Sequence, residues 1–165
     1  MKLIAEPLTA EAFAPYGDVV IAPADAGRSR FDAALATLRP NAAPSLSVAV
    51  VPPTTSLPLD AVRMERHEFS SQTFLPLDPV RYLVIVAPKA ADGGPDGQRA
   101  RAFLASPGQG ITYRHDTWHH PLTVLDQLTV LDQPARFAIF MWLDGSSTDE
   151  EFVPLAHPFT VDIPG

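Results

Sequence analysis

Proline is spread along the whole chain and limits the length of any helix. The 165 residues include 18 prolines and nine glycines. A proline inside a helix removes a backbone hydrogen bond and clashes with the preceding turn. The segments between turn residues are therefore short, which favours strands joined by turns. The sequence predicts an all-β protein, a sandwich or barrel, with one or two short helices.

The local patterns place these elements along the chain. A short helix is predicted at Thr9–Phe13, with Thr9 as its N-cap, and a second helical segment at Gln98–Leu104. The composition of Pro88–Gly97 predicts a loop. The segment Phe152–Ile163 is expected to hold one or two strands. Strands are predicted at Asp18–Ala22, Leu46–Val50, Arg63–Phe69, Arg81–Ala87, Ile111–His115, Trp118–Asp126, Ala135–Leu143 and Phe152–Ile163.

Charge and composition exclude several classes of function. The formal net charge is −7 and basic residues are not clustered, which argues against a nucleic-acid or membrane partner. The absence of cysteine excludes disulfides, thiolate catalysis and cysteine-ligated zinc. Without a leader or an 18-residue apolar run, the chain is expected in the cytoplasm. Its length predicts one domain, residues 1–165.

Three of the five histidines fall within six residues, beside a tryptophan. They are His115, His119 and His120, and Trp118 lies between the first two. A lone histidine is usually a surface or core residue, but a cluster beside an aromatic ring favours a functional site.

A second polar segment has the pattern Glu65-x-His67-x4-Gln72. On a strand, Glu65 and His67 point to the same side, and Gln72 has the opposite parity. Gln72 can therefore join the other two only if the chain bends near Ser70-Ser71. From spacing alone, a solvated strand face with mixed charges is the simpler interpretation.

Together the two segments resemble the two cupin motifs. The first has the spacing His-x-His-x4-Glu, with Glu65 and Gln72 in its outer positions, and Asp116–His119 matches the Gly-x-x-His of the second. The Pro and Asn that flank this second motif in cupins are absent. The resemblance implies a cupin-type β-barrel, a double-stranded β-helix, with Glu65, His67, Gln72 and His119 around a metal. These donors suit a divalent ion, with Ni²⁺ favoured and Zn²⁺ or Mn²⁺ possible, and no organic cofactor is expected.

More specifically, the chain is similar over nearly its full length to the ureidoglycolate lyase family. The similarity is carried by RMERHEFSSQTFLPL at Arg63–Leu77, PGQGITYRHDTWHHPL at Pro107–Leu122, and the opening LTAEAFAPYGDVV. The resemblance implies a homodimeric cupin that cleaves ureidoglycolate to glyoxylate and urea in allantoin breakdown. The family often has Tyr-His-Arg where this chain has Tyr113-Arg114-His115, which leaves the roles of those positions open.

The reaction assigns hypothetical roles to these residues. Removing the substrate hydroxyl proton needs a base of near-neutral pKa, for which histidine is suited. His67 and His119 would hold the metal or the hydroxyl, Glu65 would be a ligand or base, and Gln72 a ligand or hydrogen-bonding group. The substrate carboxylate needs a cation, either Arg66 or Arg114. The expected substrate-binding residues are Tyr113, Arg114, His115 and His120.

Two other functions remain open. The same fold could support a metal-dependent isomerase or dioxygenase acting on a small acid. It could also bind a small carboxylate without catalysis.

The hexapeptide LTVLDQ occurs twice in succession, at Leu122–Gln127 and Leu128–Gln133. Six residues preserve strand alternation but span roughly 20 Å. We expect the first copy to keep its register with His119 and the second to extend the hairpin or form a loop. The parity of His120, Leu122 and Val124 would turn His120 inward, whereas the cupin motif favours His119.

Overall fold

Thirteen short strands dominate the described part of the chain. The computed structural model describes residues 1–54, 56–127, 133–146 and 149–164. One helix, α1 (Ala10–Phe13), and a 3₁₀ turn (Gly97–Arg99) accompany the strands. The strands are β1 (Lys2–Ile4), β2 (Glu6–Pro7), β3 (Gly17–Val20), β4 (Ala43–Val51), β5 (Leu59–His67), β6 (Gln72–Pro76), β7 (Val80–Ala87), β8 (Arg101–Ala105), β9 (Gly110–Tyr113), β10 (Trp118–His119), β11 (Thr123–Gln127), β12 (Ala135–Leu143) and β13 (Glu150–Asp162).

These strands pair into two facing sheets. The first has the order β1-β13-β5-β10-β7-β8-β2, with β11 also paired to β7, and the second has the order β3-β9-β6-β12-β4. Val84 and Phe103 of the first sheet pack with Ile111 and Phe137 of the second in one apolar core. The result is the nearly closed cupin-type β-barrel with little helix that the sequence predicted.

Strand β7 shows how the sequence encodes this arrangement. Its run RYLVIVA lacks alternation because both faces of the strand are covered. Tyr82 and Val84 pack in the core between the sheets, whereas Leu83 and Ile85 pack in a second apolar cluster on the other face. The first sheet is therefore buried on both sides around the segment that carries the candidate site.

The helix predictions had different outcomes. The helix ending at Phe13 forms, and the Thr9 hydroxyl accepts a hydrogen bond from the backbone N–H of Ala12. The helix predicted at Gln98–Leu104 is wrong, because the chain forms the 3₁₀ turn and then β8, which pairs with β7. Ala102 and Phe103 are buried on opposite faces of β8. Two-sided burial removed the alternation that would have identified a strand.

Other differences concern strand boundaries. The predicted strand Trp118–Asp126 is divided into β10 and β11, with His120-Pro121-Leu122 between them. β1, β2 and β6 were not predicted. No helix in the described residues is both long and apolar enough to cross a membrane.

Candidate active site

The two polar motifs meet where β10 pairs with β5. His119 lies directly opposite Glu65 in this antiparallel pair. The backbone N–H of Asp116 donates a 2.7 Å hydrogen bond to the carbonyl of His67, which fixes the turn before β10 against the end of β5. Asp116 adopts a positive φ of 65° in that turn. Motifs some fifty residues apart in sequence are therefore adjacent in the first sheet.

Gln72 reaches the site from the facing sheet. The chain leaves β5 after His67, and Ser70 forms an isolated bridge with Thr37. It then enters β6 at Gln72, which lies opposite Tyr113 of β9. Gln72 therefore belongs to a different strand from His67, and the parity of a continuous strand does not apply. The bend required near Ser70-Ser71 is present.

Glu65, His67, Gln72 and His119 are all buried. His119 Nε2 lies 3.3 Å from Glu65 Oε1, an ion-pair distance without an aligned hydrogen bond. The rings of His67 and His119 have centroids 6.2 Å apart. Tyr113 stacks on His119 with centroids 4.0 Å apart and an interplanar angle of 16°. The tyrosine ring therefore fixes the plane of the imidazole against Glu65.

The contacts of His119 set its tautomer. Its Nδ1 lies 2.8 Å from the carbonyl of Thr117, and because a carbonyl only accepts, Nδ1 carries a proton. In a neutral ring Nε2 would then be bare and would face the oxygen of a carboxylate. Two lone pairs at 3.3 Å repel each other, so this geometry favours a proton between Glu65 Oε1 and His119 Nε2. This pair can act as a proton donor.

His67 has the opposite character. Neither of its ring nitrogens has a hydrogen-bond partner among the described residues. Burial lowers the pKa of His67 below 6.5, and a positive charge on His119 lowers it further. His67 is therefore neutral at pH 7 and can accept a proton.

The other predicted residues occupy different positions. Tyr113 contacts His119 as described above. His120 is half-buried with its Nδ1 close to Thr123 Oγ1 (3.2 Å) and the carbonyl of Pro121 (3.0 Å). Burial lowers the pKa of His120, whereas its contact with the Pro121 carbonyl and the negative charge of Glu65 act in the opposite direction. Arg114 is exposed, and His115 is half-buried.

The two arginines of β5 point to opposite sides of the sheet. The guanidinium of Arg66 lies 4.5 Å from the Trp118 ring and pairs with Glu151 and Asp116, on the face away from the site. Arg63 shares the parity of Glu65 and His67 and lies exposed over the Phe152 ring. Arg63 was not among the cations predicted from the sequence, although the alternation Arg63-x-Glu65-x-His67 places it on the same side of β5 as the motif residues.

The donor set fits a divalent metal in its chemistry. His67 Nε2, Gln72 Oε1 and His119 Nε2 are buried and have no hydrogen-bond partner among the residues that the structure describes, and Glu65 adds a carboxylate. Within the described ranges, however, no three histidine, aspartate or glutamate side chains are assembled as a metal centre. A metal at this site stays a prediction that requires the four side chains to move closer together.

The first copy of the repeated hexapeptide forms β11. Its Thr123 and Val124 pair with Leu83 and Tyr82 of β7, and the register shifts before Asp126. Pro121 separates β11 from β10, so alternation along β11 cannot be extended back to His119 or His120. The predicted position of the second copy lies outside the described residues, apart from Gln133.

Comparison with known proteins agrees with this geometry. The family model described as ureidoglycolate lyase matches residues 1–162. The chain belongs to the ureidoglycolate lyase family. A protein of Agrobacterium fabrum is 42% identical over 99% of this chain and 97% of its own length. Ureidoglycolate lyases of Chelativorans sp. and Mesorhizobium japonicum are 35% and 36% identical, over 99% of this chain and 98% and 99% of theirs.

Proposed function

We propose that this protein is a lyase that cleaves ureidoglycolate to glyoxylate and urea, the substrate named for its relatives. One observation carries the proposal. The buried Glu65 carboxylate lies 3.3 Å from His119 Nε2, and the His67 ring, which has no hydrogen-bond partner among the described residues, faces the same site. Environments that set two groups to opposite proton states identify an acid and a base. We further propose a cytoplasmic role in the breakdown of allantoin.

The reaction needs one base and one acid. The central carbon of ureidoglycolate carries a hydroxyl, a carboxylate, a hydrogen and a urea nitrogen. Cleavage removes the hydroxyl proton, the oxygen lone pair forms the new carbonyl, and the C–N bond breaks with its electrons on nitrogen. That nitrogen must gain a proton to leave as urea. Positioned proton transfer of this kind contributes about 10²- to 10⁴-fold to a rate.

The site supplies both groups. His67 Nε2 accepts the hydroxyl proton, and the Glu65–His119 pair donates a proton to the departing nitrogen. After turnover His67 holds one proton more and the pair one fewer, so one proton must pass between groups whose rings are 6.2 Å apart. The near-parallel stacking of Tyr113 on His119 keeps the His119 ring oriented through the catalytic cycle.

Two further side chains suit the rest of the substrate. Gln72 Oε1 is a buried acceptor without a hydrogen-bond partner in the described part of the chain, and the urea group offers N–H donors. Arg63 is a cation at the exposed end of the same face, where it can pair with the substrate carboxylate. These contacts would place the hydroxyl towards the histidines.

As the alternative to proton transfer by these side chains, we propose that a divalent metal bound by Glu65, His67, Gln72 and His119 would polarise the substrate oxygens, since it would occupy the ring nitrogens that otherwise exchange protons. Because the amide is a weak ligand, we expect dialysis against a chelator to lower glyoxylate release and Ni²⁺ to restore it. Activity that persists in full after chelation would remove the metal from the account and leave the lyase assignment intact.

A coupled assay for glyoxylate separates the lyase from its alternatives. With racemic ureidoglycolate, we expect release of glyoxylate without consumption of oxygen. Oxygen uptake with a small acid would indicate the dioxygenase, and binding of ureidoglycolate without turnover would indicate a carboxylate-binding module. Either result would contradict the proposed function.

We propose that the protein forms a homodimer through the outer face of β4. Leu46, Val48 and Val50 are 71%, 61% and 66% exposed on this face. β4 is an edge strand of the second sheet and contains no charged residue, so two copies can pair antiparallel without like-charge repulsion. We expect Val48→Glu to give a monomer by light scattering, and Val62→Glu, on β5, to leave the dimer intact. A monomeric unmodified protein would contradict the proposal.

A further inference from the structure

A carboxylate outside the two motifs lies beside His67. Asp149 immediately precedes β13 and is buried, and its Oδ2 is 3.6 Å from His67 Nδ1. Two hydrogen bonds to other atoms of Asp149 fix its position. Oδ1 accepts a 2.8 Å hydrogen bond from the backbone N–H of Phe69, and its backbone carbonyl accepts a 3.0 Å hydrogen bond from that of Glu68.

Arg39 holds this carboxylate from the side. Its Nη2 donates to Asp149 Oδ2 at 3.2 Å and to the carbonyl of Trp142 at 2.9 Å. Its Nη1 pairs with Asp144 at 2.6 Å. The arginine side chain is 12% exposed, so these contacts form largely away from solvent. One guanidinium therefore anchors two carboxylates, and only Asp149 lies beside His67.

We propose that Asp149 is a positioning residue that sets the tautomer of His67. An ionised carboxylate only accepts, so the ring nitrogen that faces it must carry the proton. A proton on Nδ1 leaves Nε2 bare, as the proposed base requires. The carbonyl of Thr117 imposes the same tautomer on His119. The separation of 3.6 Å exceeds a hydrogen bond, and contacts of this kind tighten when substrate binds.

The inference rests on the proposed lyase only for its effect on rate, so the first test uses no substrate. Nitrogen NMR of the ¹⁵N-labelled, chelator-dialysed protein reports which ring nitrogen of His67 is protonated, with His67→Ala assigning the signal. We expect the proton on Nδ1. A proton on Nε2 would overturn the inference whether or not the protein releases glyoxylate.

Kinetics of Asp149→Ala and Asp144→Ala then separate positioning from structural support. Removing a carboxylate that orients a catalytic histidine costs about 10- to 10⁴-fold. Because Asp149 Oδ2 and His67 Nδ1 are 3.6 Å apart, we expect a loss of roughly 100-fold in kcat for Asp149→Ala, with KM little changed. We expect its His67 tautomer to shift towards Nε2–H. Asp144→Ala removes the other carboxylate on Arg39 and should retain the tautomer and most of kcat.

Equal losses of kcat in both variants, with the His67 tautomer unchanged, would overturn the inference and leave Asp149 a structural residue. If Asp149→Ala does not fold, Asp149→Asn keeps the side-chain volume and takes its place. The spectrum of the unmodified protein remains decisive in that case. Wild-type protein without glyoxylate release would refute the proposed function, and the tautomer measurement would still test Asp149.

Discussion

Replacing His67 by alanine is expected to lower kcat for glyoxylate release by about 10³-fold, within the range for loss of a positioned base. The substrate hydroxyl would then lose its proton only to water. His67 makes no hydrogen bond with another described residue through its ring, so its removal leaves little unsatisfied in the fold. The unfolding midpoint should therefore change less than the rate. Steady-state kinetics and thermal unfolding of the same preparation measure both effects.

The matched control is His157→Ala, which removes an exposed histidine. It should leave kcat unchanged. A pH profile adds a second check, because burial lowers the pKa of His67 and the base stays neutral below pH 6.5. The acidic limb of kcat/KM should therefore fall below that pH and be absent in His67→Ala. Full activity in His67→Ala would contradict the assignment.

Glu65→Gln and His119→Gln are each expected to lower kcat by about 10²- to 10³-fold, and the double variant by no more than the worse single. The reason is that the two side chains hold one proton together, so removing either member removes the donor. Groups that act as a unit give non-additive losses. The measurement is a double-mutant cycle on kcat.

A second cycle provides the control. Gln72→Ala should raise KM through loss of a contact to the urea group, and its loss in kcat/KM should multiply with that of Glu65→Gln. Multiplying losses in the Glu65–His119 cycle would show that the two residues act independently.

The fold was largely accessible from the sequence because proline density and strand patterns agree with it. The prediction was wrong at β8, and this strand shows what limits a prediction from local sequence. Its residues are buried on both faces, so period two is lost, and Ala100, Phe103 and Leu104 happened to share a helical face. Pairing with β7 decides its conformation, and such a long-range contact leaves no local signal.

The candidate site was accessible only in part. Glu65, His67, Gln72 and His119 were identified by motif spacing, and the structure places them in adjacent or facing strands. The parity argument against His119 did not apply, because Pro121 interrupts the strand. Asp149 follows His67 by 82 positions in sequence and meets it only through the pairing of β13 with β5. Neither spacing nor composition could have indicated that contact.

We infer that the buried cluster breaks the C–N bond of ureidoglycolate and leaves urea intact. The product stoichiometry of a complete turnover of ureidoglycolate by the wild-type protein tests this inference. We expect one urea for each glyoxylate, with no ammonia, and a rate that falls about 10³-fold in His67→Ala. Ammonia as the nitrogen product, or equal rates in the two proteins, would contradict it.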